Sequence, residues 1–216
     1  GEGLTEASIQ INEDDNPDIE ILALRDIDSP NNSHLFTQFS LHTQETNGHD
    51  RLIGNIAVSG DFGSGIVLTD SDFNKSTITG NITTAGQQGW GIHFESGSNS
   101  NTTIIKGNID TQGLNSYGIF LERGDSNTIN VTGNITTTGN GAYGMRLNGS
   151  DSNDITINGN ITTSGTDGES KPILLSNSDS NTITLSGKVQ SLGADQAISI
   201  DANSDANTFI IESGST

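Results

Sequence analysis

A phrase of three residues returns six times along the chain and constrains almost everything else. It reads Gly54-Asn55-Ile56, Gly80-Asn81-Ile82, Gly107-Asn108-Ile109, Gly133-Asn134-Ile135, Gly159-Asn160-Ile161 and Gly187-Lys188-Val189, at steps of 26, 27, 26, 26 and 28 residues. A second mark keeps the same beat: Asn74, Asn101, Asn127, Asn153, Asn181 and Asn207. A fixed period of this length means one supersecondary unit stacked on copies of itself. Each copy buries an apolar face that it cannot bury alone.

The unit is legible between Asn108 and Gly133. Three short alternating runs, Asn108 to Thr111, Tyr117 to Leu121 and Thr128 to Thr132, are separated by turns rich in Gly, Asn, Asp and Ser. Period-2 alternation with Ile, Val and Thr predicts strands with one buried face, and runs of four or five residues are too short for helices. Three strands per coil of about 26 residues, recurring without reversal, predict an all-β chain: a right-handed parallel β-helix. Its inward slots are Ile109 and Thr111, Ile119 and Leu121, Ile129 and Val131, and their equivalents in every other coil.

Two segments are expected, with regular coils over residues 51–216 and an irregular first coil or cap over 1–50. Phe39 and Leu41 stand 27 residues before Ile66 and Leu68, which carries the pattern back to that point. Earlier, Ile9 and Ile11 alternate, and the acidic run Glu13 to Asp18 separates them from the apolar Ile19 to Leu24. Solenoid ends need polar covers. The chain stops at Ser213-Gly214-Ser215-Thr216 without one, so a fragment of a longer molecule is expected.

Lys and Arg total 8 against 27 Asp and Glu, a formal net charge of -19. Such a surface repels nucleic acid and anionic membrane. No apolar run approaches the ~18 residues of a membrane span, so no direct insertion of this segment is expected. Cysteine is absent, which removes disulfides, Cys-based metal sites and thiol nucleophiles.

Three columns could carry chemistry. The Asn at 74, 101, 127, 153, 181 and 207 reads as an amide ladder, with Asn accommodating the left-handed geometry of the turn, and the Asn of the Gly-Asn-Ile phrase as a second ladder. Two residues before the first ladder runs Asp72, Asn99, Asp125, Asp151, Asp179 and Asp205. It reads either as solvated Asp-Ser-Asn turns or as a Ca²⁺ site built on Asp72, Asp125, Asp151, Asp179 and Asp205. No other cofactor is indicated. Third, Trp90, Tyr117 and Tyr143 fall in one column, with His93, Phe120 and Arg146 in the outward slot of the next strand and Glu95 and Glu122 after it. Flat rings beside carboxylates make a glycan-binding strip. The same three rings share parity with the inward Ile92, Ile119 and Met145, so plugging a corner of the core is the competing reading.

Enzymatic signals are poor. His34, His42, His49 and His93 have no metal-ligand spacing, and no basic groove is evident for a polyanion lyase. Glu95 and Glu122 form the one acid pair that a glycosidase could use. A polysaccharide-processing β-helix enzyme therefore ranks behind two binding readings, and no catalytic residue is assigned.

The units just described, such as Asp125 to Thr137 followed by Ala142-Tyr143-Gly144-Met145-Arg146-Leu147, resemble the passenger repeats of bacterial autotransporters over roughly residues 52–212. The resemblance implies a Gram-negative protein exported across the outer membrane by a C-terminal barrel, with a β-helical stalk at the cell surface or released from it. The polar Asn, Thr and Ser columns that run the length of the chain suit multivalent side-by-side contact, so a non-catalytic adhesin acting through its solenoid faces is expected. The partners would be copies of itself on neighbouring cells, or host or environmental glycans or surface proteins. The glycan strip is the alternative use of the same scaffold.

Overall fold

The computed structural model describes residues 18–21, 41–43, 49–193 and 196–212, with backbone alone described before residue 54. These residues wind into a parallel β-solenoid of three sheets, with no helix among them. The first sheet contains six strands: Ile56–Val58, Ile82–Thr84, Ile109–Thr111, Ile135–Thr137, Ile161–Thr163 and Val189–Ser191. The second has seven, from Leu41–Thr43 through Ile92–Phe94, Ile119–Glu122 and Met145–Asn148 to Ile198–Ile200. The third has eight, from Asp18–Ile21 and His49–Ile53 through Thr128–Thr132 and Asp154–Asn158 to Thr208–Ile211. Every pairing is parallel and joins a strand to its copy one coil away, as with Ile109 against Ile135 and Ile119 against Met145.

The interior is a single column. Ile82, Ile92, Phe94, Ile105, Ile109, Ile119, Leu121, Ile129 and Val131 belong to one buried cluster that continues through the later coils. The inward threonines Thr84, Thr111, Thr137 and Thr163 are buried too. Thr84 Oγ1 donates to Gly89 O at 3.0 Å, which places a polar atom inside without leaving it unpaired. A narrow column of branched side chains needs little apolar surface per residue, which reconciles the fold with a hydrophobic content of 30%.

The glycine of the repeated phrase is dictated by the distance between coils. A Cβ on Gly80, Gly107, Gly133 or Gly159 would lie 1.9 to 2.2 Å from the carbonyl oxygen of the phrase glycine one coil earlier. Gly80 and Gly133 also take φ of +155° and +149°, which L side chains rarely adopt. Beside it, the phrase asparagines form the expected second ladder. Asn55, Asn81, Asn108, Asn134 and Asn160 each accept, through Oδ1, the backbone N–H of the corresponding residue in the next coil, at 2.8 to 2.9 Å.

One expectation shifts. Leu41 pairs with Ile66 and Thr43 with Leu68, so the register sits two residues from that expected for Phe39 and Leu41. A slip of two keeps the same side chains facing inward, so alternation alone cannot detect it. Phe39 itself lies outside the described residues, as do Ile9, Ile11, the run 13–17 and residues 213–216. Asp18–Ile21 pairs in parallel with His49–Ile53, which places a strand of the 1–50 segment in the third sheet.

Candidate functional site

The turn between the second and third sheets gathers three ladders in four residues. In Ser150-Asp151-Ser152-Asn153 and its equivalents, the third residue takes the left-handed conformation, with φ of +58° at Ser126, Ser152 and Ser180. The strained residue is therefore the serine before the Asn and not the Asn itself, because the Asn amide is committed inward. Asn101, Asn127, Asn153 and Asn181 are buried. Each accepts a backbone N–H from the preceding coil: Asn101 N to Asn127 Oδ1 at 2.9 Å, Asn127 N to Asn153 Oδ1 at 2.8 Å, Asn153 N to Asn181 Oδ1 at 2.9 Å. The Nδ2 of Asn127 donates to Ser98 O at 2.9 Å.

The acidic column runs on the outside of the same turn. Asp72, Asn99, Asp125, Asp151 and Asp179 each accept through Oδ1 the backbone N–H of the next rung, at 2.6 to 2.9 Å. Asp205 donates the last of these bonds from its backbone. Four of the five carboxylates suggested as Ca²⁺ ligands, those of Asp72, Asp125, Asp151 and Asp179, thus each engage one oxygen as a backbone acceptor. Among the described residues no group of three or more His, Cys, Asp and Glu is placed to hold a metal ion. A third ladder, not evident from the repeat phrase, is made of serines. Gly124 N donates to Ser150 Oγ, Ser150 N to Ser178 Oγ and Ser178 N to Ser204 Oγ, at 3.1 to 3.2 Å.

The aromatic column builds a different object. Trp90, Tyr117 and Tyr143 do not enter the interior cluster. They precede the second-sheet strands across a bend at Gly91 and its equivalents, so parity with Ile92 does not carry through. They fold over the outer face of that sheet instead. Beneath them the outward-slot residues His93 and Phe120 are 4% and 6% exposed, and Tyr117 is 8% exposed. Trp90 and Tyr143 form the half-buried rim.

The contacts are those of a packed second core. His93 lies parallel to Phe120, centroids 5.0 Å apart and planes 3° apart. Trp90 closes on His93 at 4.3 Å and on Phe120 at 5.5 Å. Tyr117 stands edge-on to Phe120 at 5.3 Å and meets Tyr143 at 5.1 Å. Arg146 locks the far end. Its guanidinium sits 5.5 Å from the Tyr117 and Phe120 centroids and 5.8 Å from Tyr143, and donates to Tyr117 Oη at 3.0 Å. Burial pushes the Tyr143 hydroxyl up, with Tyr117 adding to the effect and Arg146 opposing it.

Glu95 and Glu122 occupy the border of this cluster. Glu95 Oε2 accepts from Thr69 Oγ1 at 2.6 Å, and Glu95 Oε1 faces His93 Nδ1 at 3.7 Å. Burial pushes His93 down to about 4, against the pull of the Glu95 carboxylate. Three polar atoms in the cluster are buried without a hydrogen-bond partner: Trp90 Nε1, His93 Nε2 and Arg146 Nε.

At the other border, the turn lengthened between Gly159 and Gly187 is tied down by Asp167. Its Oδ1 accepts from Ser170 Oγ at 2.9 Å and from the backbone of Glu169 and Ser170, and its Oδ2 accepts from Gly141 N. Burial raises the Asp167 carboxyl, but these hydrogen bonds outweigh it and hold the group below its ordinary value. The eight residues singled out around the rings therefore meet on one face, whereas the five aspartates lie along a different corner.

Comparison of the chain with family models, with curated proteins and with solved structures returns no match.

Proposed function

We propose that the chain is a non-catalytic adhesion module of a bacterial surface, of the autotransporter passenger kind, which acts by side-by-side contact of its solenoid faces. One observation carries the reading. Over its last six strands, the outer face of the third sheet is regular and nearly neutral on a strongly acidic molecule. Its central column runs Thr77, Ile104, Asn130, Thr156, Thr184 and Ile210 in direct register. From Lys75–Thr79 to Thr208–Ile211, the charged strand residues are Lys75, Lys106 and Asp154. Copies carrying a net charge of -19 repel one another, and a neutral face is where they approach at least cost.

The magnitude fits a weak contact repeated many times. Six strands spaced ~4.8 Å and ~16 Å long cover roughly 460 Å² per partner. That is below the ~800 Å² per partner of a stable pair, so affinity would come from many aligned copies rather than from one contact. The aromatic strip supports glycan binding less well, because Trp90, Tyr117 and Tyr143 are tilted against one another and Tyr117, Phe120 and His93 are covered. Export to the cell surface rests on the repeat resemblance alone.

The test is sedimentation at rising protein concentration and rising salt, with cell aggregation as the functional readout. Association is expected to strengthen as salt screens the like charges. The double substitution Asn130→Glu and Thr156→Glu is expected to abolish it. A strict monomer at high concentration that aggregates no cells would overturn the reading.

A further inference from the structure

The aromatic cluster on the second sheet is separable from the fold that carries it. None of Trp90, His93, Tyr117, Phe120 and Tyr143 belongs to the interior column. The coils beneath are held by that column, by the parallel ladders and by the asparagine stacks. Loss of the outer cluster therefore leaves the solenoid its own cohesion, which makes the cluster a local unfolding unit.

At the centre of this unit sits one titratable ring. His93 forms a close triangle with the Trp90 and Phe120 rings, at 4.3 and 5.0 Å, and is 4% exposed. Its Nε2 has no hydrogen-bond partner. Adding a proton creates a buried charge and leaves at least one ring nitrogen an N–H donor with nowhere to donate.

The surrounding groups do not supply a remedy. Just past the end of its own strand the nearest carboxylate is Glu95, whose Oε1 faces Nδ1 at 3.7 Å while Oε2 holds the Thr69 hydroxyl of the preceding coil. The paired strand of that coil, Ile66–Leu68, carries no charge. The following coils bring Glu122 at the border, the phenols of Tyr117 and Tyr143, and Arg146, whose positive charge over Phe120 opposes a second cation. Glu169 and Asp167 act on Tyr143 at the far border. A protonated imidazole gains from the ring faces beside it, but that gain and Glu95 are set against a buried donor and a nearby guanidinium.

We propose that these side chains form an acid-operated cover: a proton on His93 releases the cluster from the sheet and uncovers Trp90, Tyr117 and Tyr143, leaving the solenoid wound. The sign follows from the direction of the His93 shift. Its affinity for a proton is lower in the closed cluster than in the open one, so the closed state is fully favoured above about pH 6.5 and loses ground as pH falls towards 4. Over that interval the opening equilibrium rises by up to tenfold per pH unit, roughly 80-fold in all. The device makes an aromatic surface available only in acid, a behaviour independent of what the third sheet binds.

Trp90 is the one tryptophan, so its indole N–H reports the cover without ambiguity. Hydrogen exchange of that group, expressed as a protection factor relative to free indole at each pH, is measured from pH 7 to pH 4 beside the amides of Ile119 and Ile161. Protection at Trp90 is expected to fall by roughly 100-fold while the two isoleucine amides keep theirs. His93→Gln, which cannot take up the proton, is expected to flatten the Trp90 profile. Glu95→Gln, which removes the opposing attraction, is expected to steepen it. Unchanged Trp90 protection across this range would overturn the proposal. So would a parallel loss at Ile119 and Ile161, or a His93→Gln profile that matches the unsubstituted chain.

Discussion

The amide oxygen of Asn127 lies 2.9 Å from the backbone nitrogen of Asn101 and 3.1 Å from its side-chain nitrogen. One buried atom therefore satisfies two donors on the coil before, while the Asn127 backbone N–H is satisfied by Asn153 on the coil after. No backbone pairing could do this, because the left-handed residue at Ser126 interrupts the sheet at that corner. Replacing Asn127 with Leu leaves two buried N–H groups of Asn101 and the carbonyl of Ser98 short of a partner. The expected loss is about 3 kcal/mol, since each buried unsatisfied group costs on the order of 1 to 3 kcal/mol. Asn134 does the same work in the exposed ladder, where water can substitute, and Asn134→Ala is expected to cost about 1 kcal/mol or less. Urea denaturation of both variants with an unchanged slope checks the contrast.

The phrase glycine is governed by contact as well as by conformation, and the two causes separate experimentally. At Gly133 an added Cβ would stand 2.2 Å from Gly107 O in a backbone with φ of +149°. At Gly168, φ is +77° but nothing lies within 4 Å. Gly168→Ala is expected to cost about 1 kcal/mol, the usual penalty for a left-handed alanine. Gly133→Ala is expected to cost about 3 kcal/mol, because two coils must part to admit the methyl group. Equal losses at the two positions would show that conformation alone dictates the glycine.

Arg146 is the clasp of the outer cluster, and its planarity matters more than its charge. The guanidinium rests against three rings and donates to Tyr117 Oη at 3.0 Å. Lysine keeps the charge but offers neither a flat face nor a fork of donors. Arg146→Lys is therefore expected to cost about 1 kcal/mol at neutral pH and to increase exposure of the tyrosines. Second-derivative absorbance in the tyrosine region reads that exposure directly. Unchanged spectra would mean that the rings hold one another without the clasp.

Much of this molecule is legible in the sequence, and the reasons are local. Ile109, Ile119 and Ile129 alternate with polar neighbours and recur one coil later, so their inward direction follows from pattern alone. The asparagine ladders followed from the same beat. What the pattern hid is equally specific. Phe120 and His93 sit in outward slots, where alternation implies solvent, and the rings of the preceding column, with Arg146 over Phe120, bury them. Trp90 shares parity with Ile92, yet the bend at Gly91 breaks the alternation before it reaches the indole. The serine ladder at Ser150, Ser178 and Ser204 was hidden because a turn serine looks solvated until its neighbour one coil away is known.

The acidic ladder carries a test of its own, because the chain already contains the control. Asn99 occupies one rung, carries no carboxylate of its own, and still accepts the N–H of Asp125 at 2.9 Å while donating its own to Asp72 at 2.8 Å. The rung therefore needs an acceptor oxygen and not a charge. Asp151 stacks between Asp125 and Asp179, roughly one coil spacing of ~4.8 Å from each, and its charge acts against both. Asp151→Asn keeps the acceptor for Asp179 N–H and removes that repulsion. It is expected to stabilise the protein by about 0.5 kcal/mol at low ionic strength. The gain is expected to vanish near 1 M salt, where the screening length falls to about 3 Å. Thermal denaturation at the two salt concentrations decides the matter: a loss of stability at low salt would mean that the carboxylate at position 151 is needed as a charge, and the column would then have to be read as a cation site.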